Sequence, residues 1–329
     1  MKYWHLAVLS VVIGACGYAI ITHPPGSFAI REEGPLVASP VRTPLSRDIT
    51  LRFVGDIMLS RSVGDAMRFR NDWGWPFARI ASTTKTADLT FGNLETTISS
   101  RGFANGCGFC FRADPRALDG VVSSGFDVLS VANNHIWDYG LVAFEDTLAL
   151  VALRGITPVG GGRTLTEARG PVVRIVDNTR IAYLAYTDIL PASAKATAIR
   201  AGANLYDEIS MREDVARARS LADIVVVSFH TGTEYETHHT PHQERIYHAI
   251  IDAGADLVVG HHPHVIEDVE RYKSGWIAYS LGNFVFDQNW SLATRRGMML
   301  DVLVRDRVIA SIATRSIDIS TEYQPSVGY

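Results

Sequence analysis

The 329-residue sequence predicts a mixed α/β fold, and three observations carry that reading. Apolar, strand-like runs alternate with amphipathic, helix-like runs along most of the chain. Several strand-like runs stop and hand over at once to acidic, amide or imidazole side chains. The chain then finishes on two strand patterns, 298–304 and 308–314, joined through Arg305-Asp306 as an antiparallel hairpin. In sheets of this class ligands sit outside the carboxyl ends of the strands, so the polar strand ends are where a site is expected.

Composition narrows the field. With 47% hydrophobic and 20% charged residues and a net charge of -4, the chain is long enough for a large core and too balanced for a nucleic-acid partner. Histidine is segregated: eight of the eleven lie between His230 and His264.

The front of the chain is organised differently. Residues 1–22 carry an apolar stretch of bilayer-spanning length behind Lys2, and predict a signal or membrane anchor that leaves the following domain outside the cytoplasm. Cys16 after Ile13-Gly14-Ala15 also fits a lipoprotein anchor, but the apolar run continues past it to Ile21, which favours an uncleaved single-pass segment. Residues 23–47, with prolines at 24, 25, 35, 40 and 44, read as an extended linker. The globular domain is expected over 48–315 and a tail over 316–329.

Within that domain, 49–54 (ITLRFV) is a strand running into Gly55-Asp56, and 88–91 is a second leading to Asn93 and Glu95. A glycine-rich loop, 101–111, holds Cys107 and Cys110; its flanks are not those of a redox motif, so a disulfide pinning the loop is the preferred reading in an exported protein. A helix at 117–124 precedes a buried strand, 126–131, that delivers Asn134, His135 and Asp138. A helix over 141–153 stops at Gly155, a short strand follows at 156–159, and 172–176 with 180–186 form a hairpin around Asp177-Asn178. After a helix at 211–221, the strand 224–228 ends at His230, with Glu234 close behind. Thr240, Pro241 and Gln243 announce a helix: an N-cap, a proline at the first helical position and a glutamine three residues after the cap. That helix leads to the strand 256–259 and to His261, His262 and His264; one more strand, 276–281, precedes Asn283.

Asp56, Asn93, Glu95, Asn134, His135, His230, His262 and His264 are thus the metal-competent or acid-base groups at strand ends. Glu234 is either a carboxylate that orients an imidazole or a solvated loop acid, and Asp138 either supports His135 or caps the next helix. Asn283 either lines the pocket or makes a turn, and Trp73, Trp75 and Phe77 form either an aromatic wall or loop packing. His238, His239 and His242 read as exposed polar residues.

The ordered stretches FVGDIML, GNLET, FRAD, ANNHIWDYG, FHTGTEY, GADLVVGHHPHVIE and YSLGNFVFDQ, spread over 49–303, resemble the CapA-type poly-gamma-glutamate capsule biosynthesis proteins, a branch of the calcineurin-like metallophosphoesterases. The resemblance implies a four-layer α-β-β-α sandwich. It implies a divalent metal (Mn, Zn, Fe or Mg, one or two ions) on Asp56, Glu95, Asn134, His230, His262 and His264, with Asp56 and His135 catalytic and His135 meeting the leaving group. His261 fits the pattern less specifically and is read as packing or hydrogen bonding. Two positions depart from the parent phosphoesterase pattern: Met58 replaces a histidine ligand and Asn93 a bridging aspartate, which implies one firm metal site. The implied function is synthesis or export of an anionic surface polymer, as a hydrolase of phosphoester or amide-linked polymer substrates. Its implied associates are the membrane and membrane-bound polymer-synthase subunits. A non-catalytic polymer-binding subunit and a metal-free Asp/His enzyme such as an epimerase are the alternatives.

Overall fold

The computed structural model describes residues 47–328. The anchor segment, Cys16 and all of the linker before Arg47 lie outside the described residues. Among the described residues no helix is long and apolar enough to cross a membrane.

Two sheets form the middle of the domain. The first runs, in spatial order, Pro325–Val327, Val308–Ile319, Arg296–Arg305, Ile49–Ile57, Leu89–Leu94, Val128–Ser130, Thr157–Val159, with Asn283–Val285 also paired to Ile49–Ile57. The second runs Val269–Tyr272, Gly275–Ala278, Leu257–His261, Ile224–His230, Thr179–Thr187, Val172–Val176. Inward-facing residues of both sheets, including Phe53, Phe91, Tyr183, Val226 and Val259, make one core between them. The Phe91 and Tyr183 rings stack across it at 5.8 Å. On the far face of the first sheet a second core lies under helices Arg61–Arg70, Ala117–Ser123 and Gly140–Leu153. A third core, on the far face of the second sheet, lies under Glu208–Leu221 and Pro241–Asp252. The result is the α-β-β-α sandwich that the resemblance implies.

Several elements run longer than their apolar patterns, and each has a physical reason. The first strand continues through Gly55-Asp56 to Ile57 because glycine lets it cross Gly282: a Cβ at position 55 would lie 1.9 Å from the Gly282 carbonyl oxygen. Ile224–His230 and Leu257–His261 run on until His230 and His261 face each other in parallel register, a pairing that no local pattern announces. Residues 316–328, expected to be a tail, belong to the sheet: Val308–Ile319 buries Ile317 and Ile319, and Pro325–Val327 pairs antiparallel with its end. The aromatic run at 73–77 packs away from the strand ends. Trp75 donates from Nε1 to the Glu322 carbonyl (3.2 Å), and its own carbonyl accepts from Gln324 (2.8 Å).

Short-range signals appear where their few residues place them. Asp177 and Asn178 take φ of 45° and 61° at the expected hairpin turn. The last hairpin turns on Asp306 and Arg307, one residue later than expected. Thr240 and Gln243 form the full capping box of helix Pro241–Asp252.

Gln243 also donates from Nε2 to Glu267 (2.7 Å), whose other carboxylate oxygen is buried without a partner. Burial pushes the Glu267 carboxyl up to about 7 from its ordinary 4.5. The unfolded chain releases this proton at the lower pH, so the native state is penalised progressively as pH rises between those values, and the penalty is complete above the upper one. Glu267→Gln keeps an acceptor for Gln243 without the charge. It should match the parent protein at pH 4 and exceed it by roughly 1–2 kcal/mol at pH 8 in urea unfolding; equal stability at both pH values would refute this account.

Candidate metal centre

Asp56 is fully buried where the two sheets meet at their strand ends. Its Oδ1 accepts from Asn93 Nδ2 (2.9 Å) and lies 3.3 Å from His261 Nδ1; its Oδ2 lies 3.3 Å from His264 Nδ1 and accepts from the His262 backbone amide (3.4 Å). Burial opposes ionisation of Asp56, but the imidazoles of His261 and His264 outweigh it and hold the carboxyl well below its usual range. Glu95, equally buried, goes the other way: burial first, then the neighbouring charge of Asp56, push it well above the carboxylate range. Burial, and then the charge of His262, lower His230 well below an ordinary imidazole.

Two groups of side chains bring ligand atoms within 4.8 Å of one another: Asp56, Glu95 and His230, and beside them Glu234, His262 and His264. His264 joins the two, its Nε2 lying 3.6 Å from Glu95 Oε1. Asn283 orients the His264 ring. Its amide nitrogen donates to Gln288 Oε1 (3.0 Å) and the Thr294 carbonyl (2.9 Å), so its oxygen faces His264 Nδ1 (3.0 Å) as acceptor. With Nδ1 on that acceptor, Nε2 faces Glu95 Oε1, where a proton or a cation can lie between them. His262 and His264 both adopt positive φ (102° and 59°), strain of a kind concentrated at functional sites.

Asn93 lies between the acids. Its oxygen accepts from Asn133 Nδ2 (3.1 Å), which turns its NH2 toward Asp56, Glu95 (3.3 Å) and His230 Nδ1 (3.2 Å). It is thus a hydrogen-bond donor to all three groups. Asn134 Oδ1 lies 2.9 Å from His230 Nε2. Met58 points into the core beneath helix Arg61–Arg70, its sulfur accepting from the Ser60 amide and hydroxyl.

A cleft of about 410 Å³ opens onto this centre and is lined in part by His135, Glu234, Tyr235, His264 and Trp290. His135 Nδ1 is 2.8 Å from Asp138 Oδ2, its Nε2 is 4.0 Å from Glu95 Oε1, and its ring stacks on Phe111 at 3.7 Å. Asp138 therefore supports His135, and it also accepts from the Phe111 amide (2.7 Å). Cys107 and Cys110 are joined as a disulfide, and their loop forms one lip of the cleft.

Residues 50–288 match the family model described as "Bacterial capsule synthesis protein PGA_cap". The chain belongs to this family. Over 85% of its length it is 33% identical to the "Capsule biosynthesis protein CapA" of Bacillus anthracis, covering 70% of that protein. It is 31% identical over 89% to the "PGA biosynthesis protein CapA" of Bacillus subtilis (strain 168), covering 77% of it. Among solved structures, a hypothetical protein from Thermus thermophilus shares the fold, with a TM-score of 0.53 at 14% identity over 82% of this chain and 99% of that one.

In this PGA_cap protein the sequence reading left three contributors unnamed, Arg61, Asn133 and Tyr235, and gave a fourth, His261, only packing or hydrogen bonding. His261 is fully buried against Asp56, with neither ring nitrogen hydrogen-bonded. Strand alternation marks it, since Leu257 and Val259 face the inter-sheet core and the next alternate position is 261. Arg61, paired with buried Asp287 at 3.1 Å and set over Phe111 at 5.2 Å, lines the cleft. A cation at the first residue of a helix opposes the helix dipole, which is the signal it leaves in the sequence. Asn133 acts only through Asn93, and Tyr235 faces the cleft with φ of 69°; neither stands out from its neighbours in sequence.

The donor set fits a divalent cation: two buried carboxylates, His264 Nε2, and ligand-type atoms without partners on Glu95, His261 and His262. Asn93→Asp would place a third carboxylate among these groups. In chelator it should lower stability by about 3 kcal/mol through like-charge burial, and added Mn or Zn should restore the loss; an unchanged unfolding midpoint in chelator would contradict this placement of Asn93.

Proposed function

We propose that this protein is a metal-dependent hydrolase acting in the synthesis or export of an anionic, poly-gamma-glutamate-type surface polymer. The observation that carries the chemistry is the set of buried atoms Glu95 Oε1, His261 Nε2 and His262 Nδ1, none of which has a hydrogen-bond partner. Such atoms are costly to bury unless a cation meets them. The polymer class rests on family membership and on the capsule and PGA roles named for the Bacillus relatives. Residues 1–22 would hold the domain at the membrane on its outer side, beside membrane-bound synthase subunits.

Asp56, Glu95, His230, His262 and His264 would hold the ion, with Asn134, His261 and Glu234 adjacent. When bound, a divalent cation (Mn, Zn, Fe or Mg) supplies Lewis acidity toward a phosphoester or amide oxygen and a hydroxide-like nucleophile. His135 does the protein's own proton work. Asp138 holds Nδ1, and Phe111 fixes the ring plane, so Nε2 faces the cleft as the atom that delivers a proton to the leaving group. Arg61, held by Asp287, places a guanidinium on the cleft wall where it can face an anionic substrate.

A second reading is favoured by Asn93 and Met58, which replace two expected ligands: a polymer-binding subunit without turnover. The two separate on the full-length protein in detergent, measured for metal by mass spectrometry and for activity on a phosphoester panel and γ-linked oligoglutamate. Hydrolysis predicts bound metal, loss of metal and turnover in Asp56→Ala, and a kcat lowered roughly 10²–10⁴-fold with metal retained in His135→Ala. Absence of metal together with inactivity under added Mn, Zn or Mg would reject hydrolysis and leave the binding role.

A further inference from the structure

A second cleft, of about 300 Å³, lies outside the metal centre and is lined by Arg79, Arg295, Arg296, Asp318, Ser320 and Ser326. It sets three guanidiniums against one carboxylate. The only ion pair among them, Arg296 with Asp318, is 3.6 Å long with both side chains more than half exposed, and such pairs contribute little. Among the described residues Arg79 and Arg295 form no ion pair and no side-chain hydrogen bond. Arg70 and Arg116, by contrast, are both ion-paired, with Glu322 and Asp114, and lie over the Trp75 and Trp73 rings at 4.0 and 4.4 Å. The backbone around Arg295 is fixed, since its carbonyl accepts from Ile319 (2.8 Å).

The two clefts share one loop. Gln288 and Trp290 line the metal cleft, and Leu292, Arg295 and Arg296 line the second. Asn283 ties the ends together, contacting His264 at the metal centre, Gln288 at the start of the loop and Thr294 beside Arg295. Trp290 and Leu292 stand exposed between them, apolar surface of the kind that packs against methylene groups.

The geometry points to a polymer-holding subsite: the Arg79, Arg295 and Arg296 cleft binds the carboxylates of a γ-linked polyglutamate chain whose other end enters the metal cleft. This rests on the polymer reading above. Guanidiniums match carboxylates in shape and charge, and a cleft joined to the reaction centre along one loop suits an elongated ligand better than a small anion. Holding a chain away from the reacting bond supplies binding energy that the metal cleft alone does not.

The test uses the full-length protein in detergent and fluorescent γ-linked oligoglutamate titrated at several salt concentrations. The double variant Arg79→Gln/Arg295→Gln should bind the oligomer roughly tenfold more weakly, with a flatter salt dependence and unchanged metal content. Arg79→Lys/Arg295→Lys should recover most of the affinity, and charge reversal to glutamate should remove it. Oligomer binding that is equal with and without the two arginines, or absent from the parent protein, overturns the subsite. Arginine-dependent binding to phosphatidylglycerol vesicles in place of oligomer would assign the cleft to a membrane surface and overturn it as well. The hydrolase reading fails separately: arginine-dependent oligomer binding by a protein without metal or turnover keeps the subsite and loses the hydrolase, while turnover with arginine-independent binding does the reverse.

Discussion

The ionised carboxylate of Asp56, buried between His261 and His264, is the constraint on which the rest of the centre depends. It belongs to the first sheet, and its imidazole partners follow from the second, so the contact fastens the sandwich at its functional end. Burial, and after it that charge, push Glu95 toward the protonated form, and the His262 loop is drawn in through a backbone amide. The approach is possible because Gly55 offers nothing to collide with Gly282. A backbone requirement and an electrostatic one thus converge on two adjacent residues.

Features that depend on a few consecutive residues were legible in the sequence. The capping box at Thr240 and Gln243 and the turn at Asp177-Asn178 are local hydrogen-bond and φ preferences, and they appear where expected. So do the polar strand ends, because a strand must deliver its next residue to the sheet edge. What was not legible depends on long-range placement. The strand pairing that sets His230 beside His261, the packing of Trp75 against Glu322 and Gln324, and the addition of Pro325–Val327 to the sheet all join segments far apart in sequence. From Ser316 onward only Ile317 and Ile319 alternate before the strand ends, too short a run to mark a strand by itself, and the pairing of Pro325–Val327 with it joins segments that no local pattern links.

Asn93 shows how a substitution can change a site without dismantling it. A carboxylate in that place would add charge between Asp56 and Glu95; the amide, turned by Asn133, donates hydrogen bonds to both. The acidic and imidazole groups of the centre stay together with less negative charge between them. Met58 is a plainer loss, a position given over to the core.

The lip formed by Cys107 and Cys110 closes a ring of only four residues, which removes little freedom from the unfolded chain. Its value is therefore in shape and not in stability. Part of the cleft lining is set covalently, while Tyr235 and Trp290 are held by packing and hydrogen bonds alone. The crosslink therefore fixes the form of one wall of the cleft.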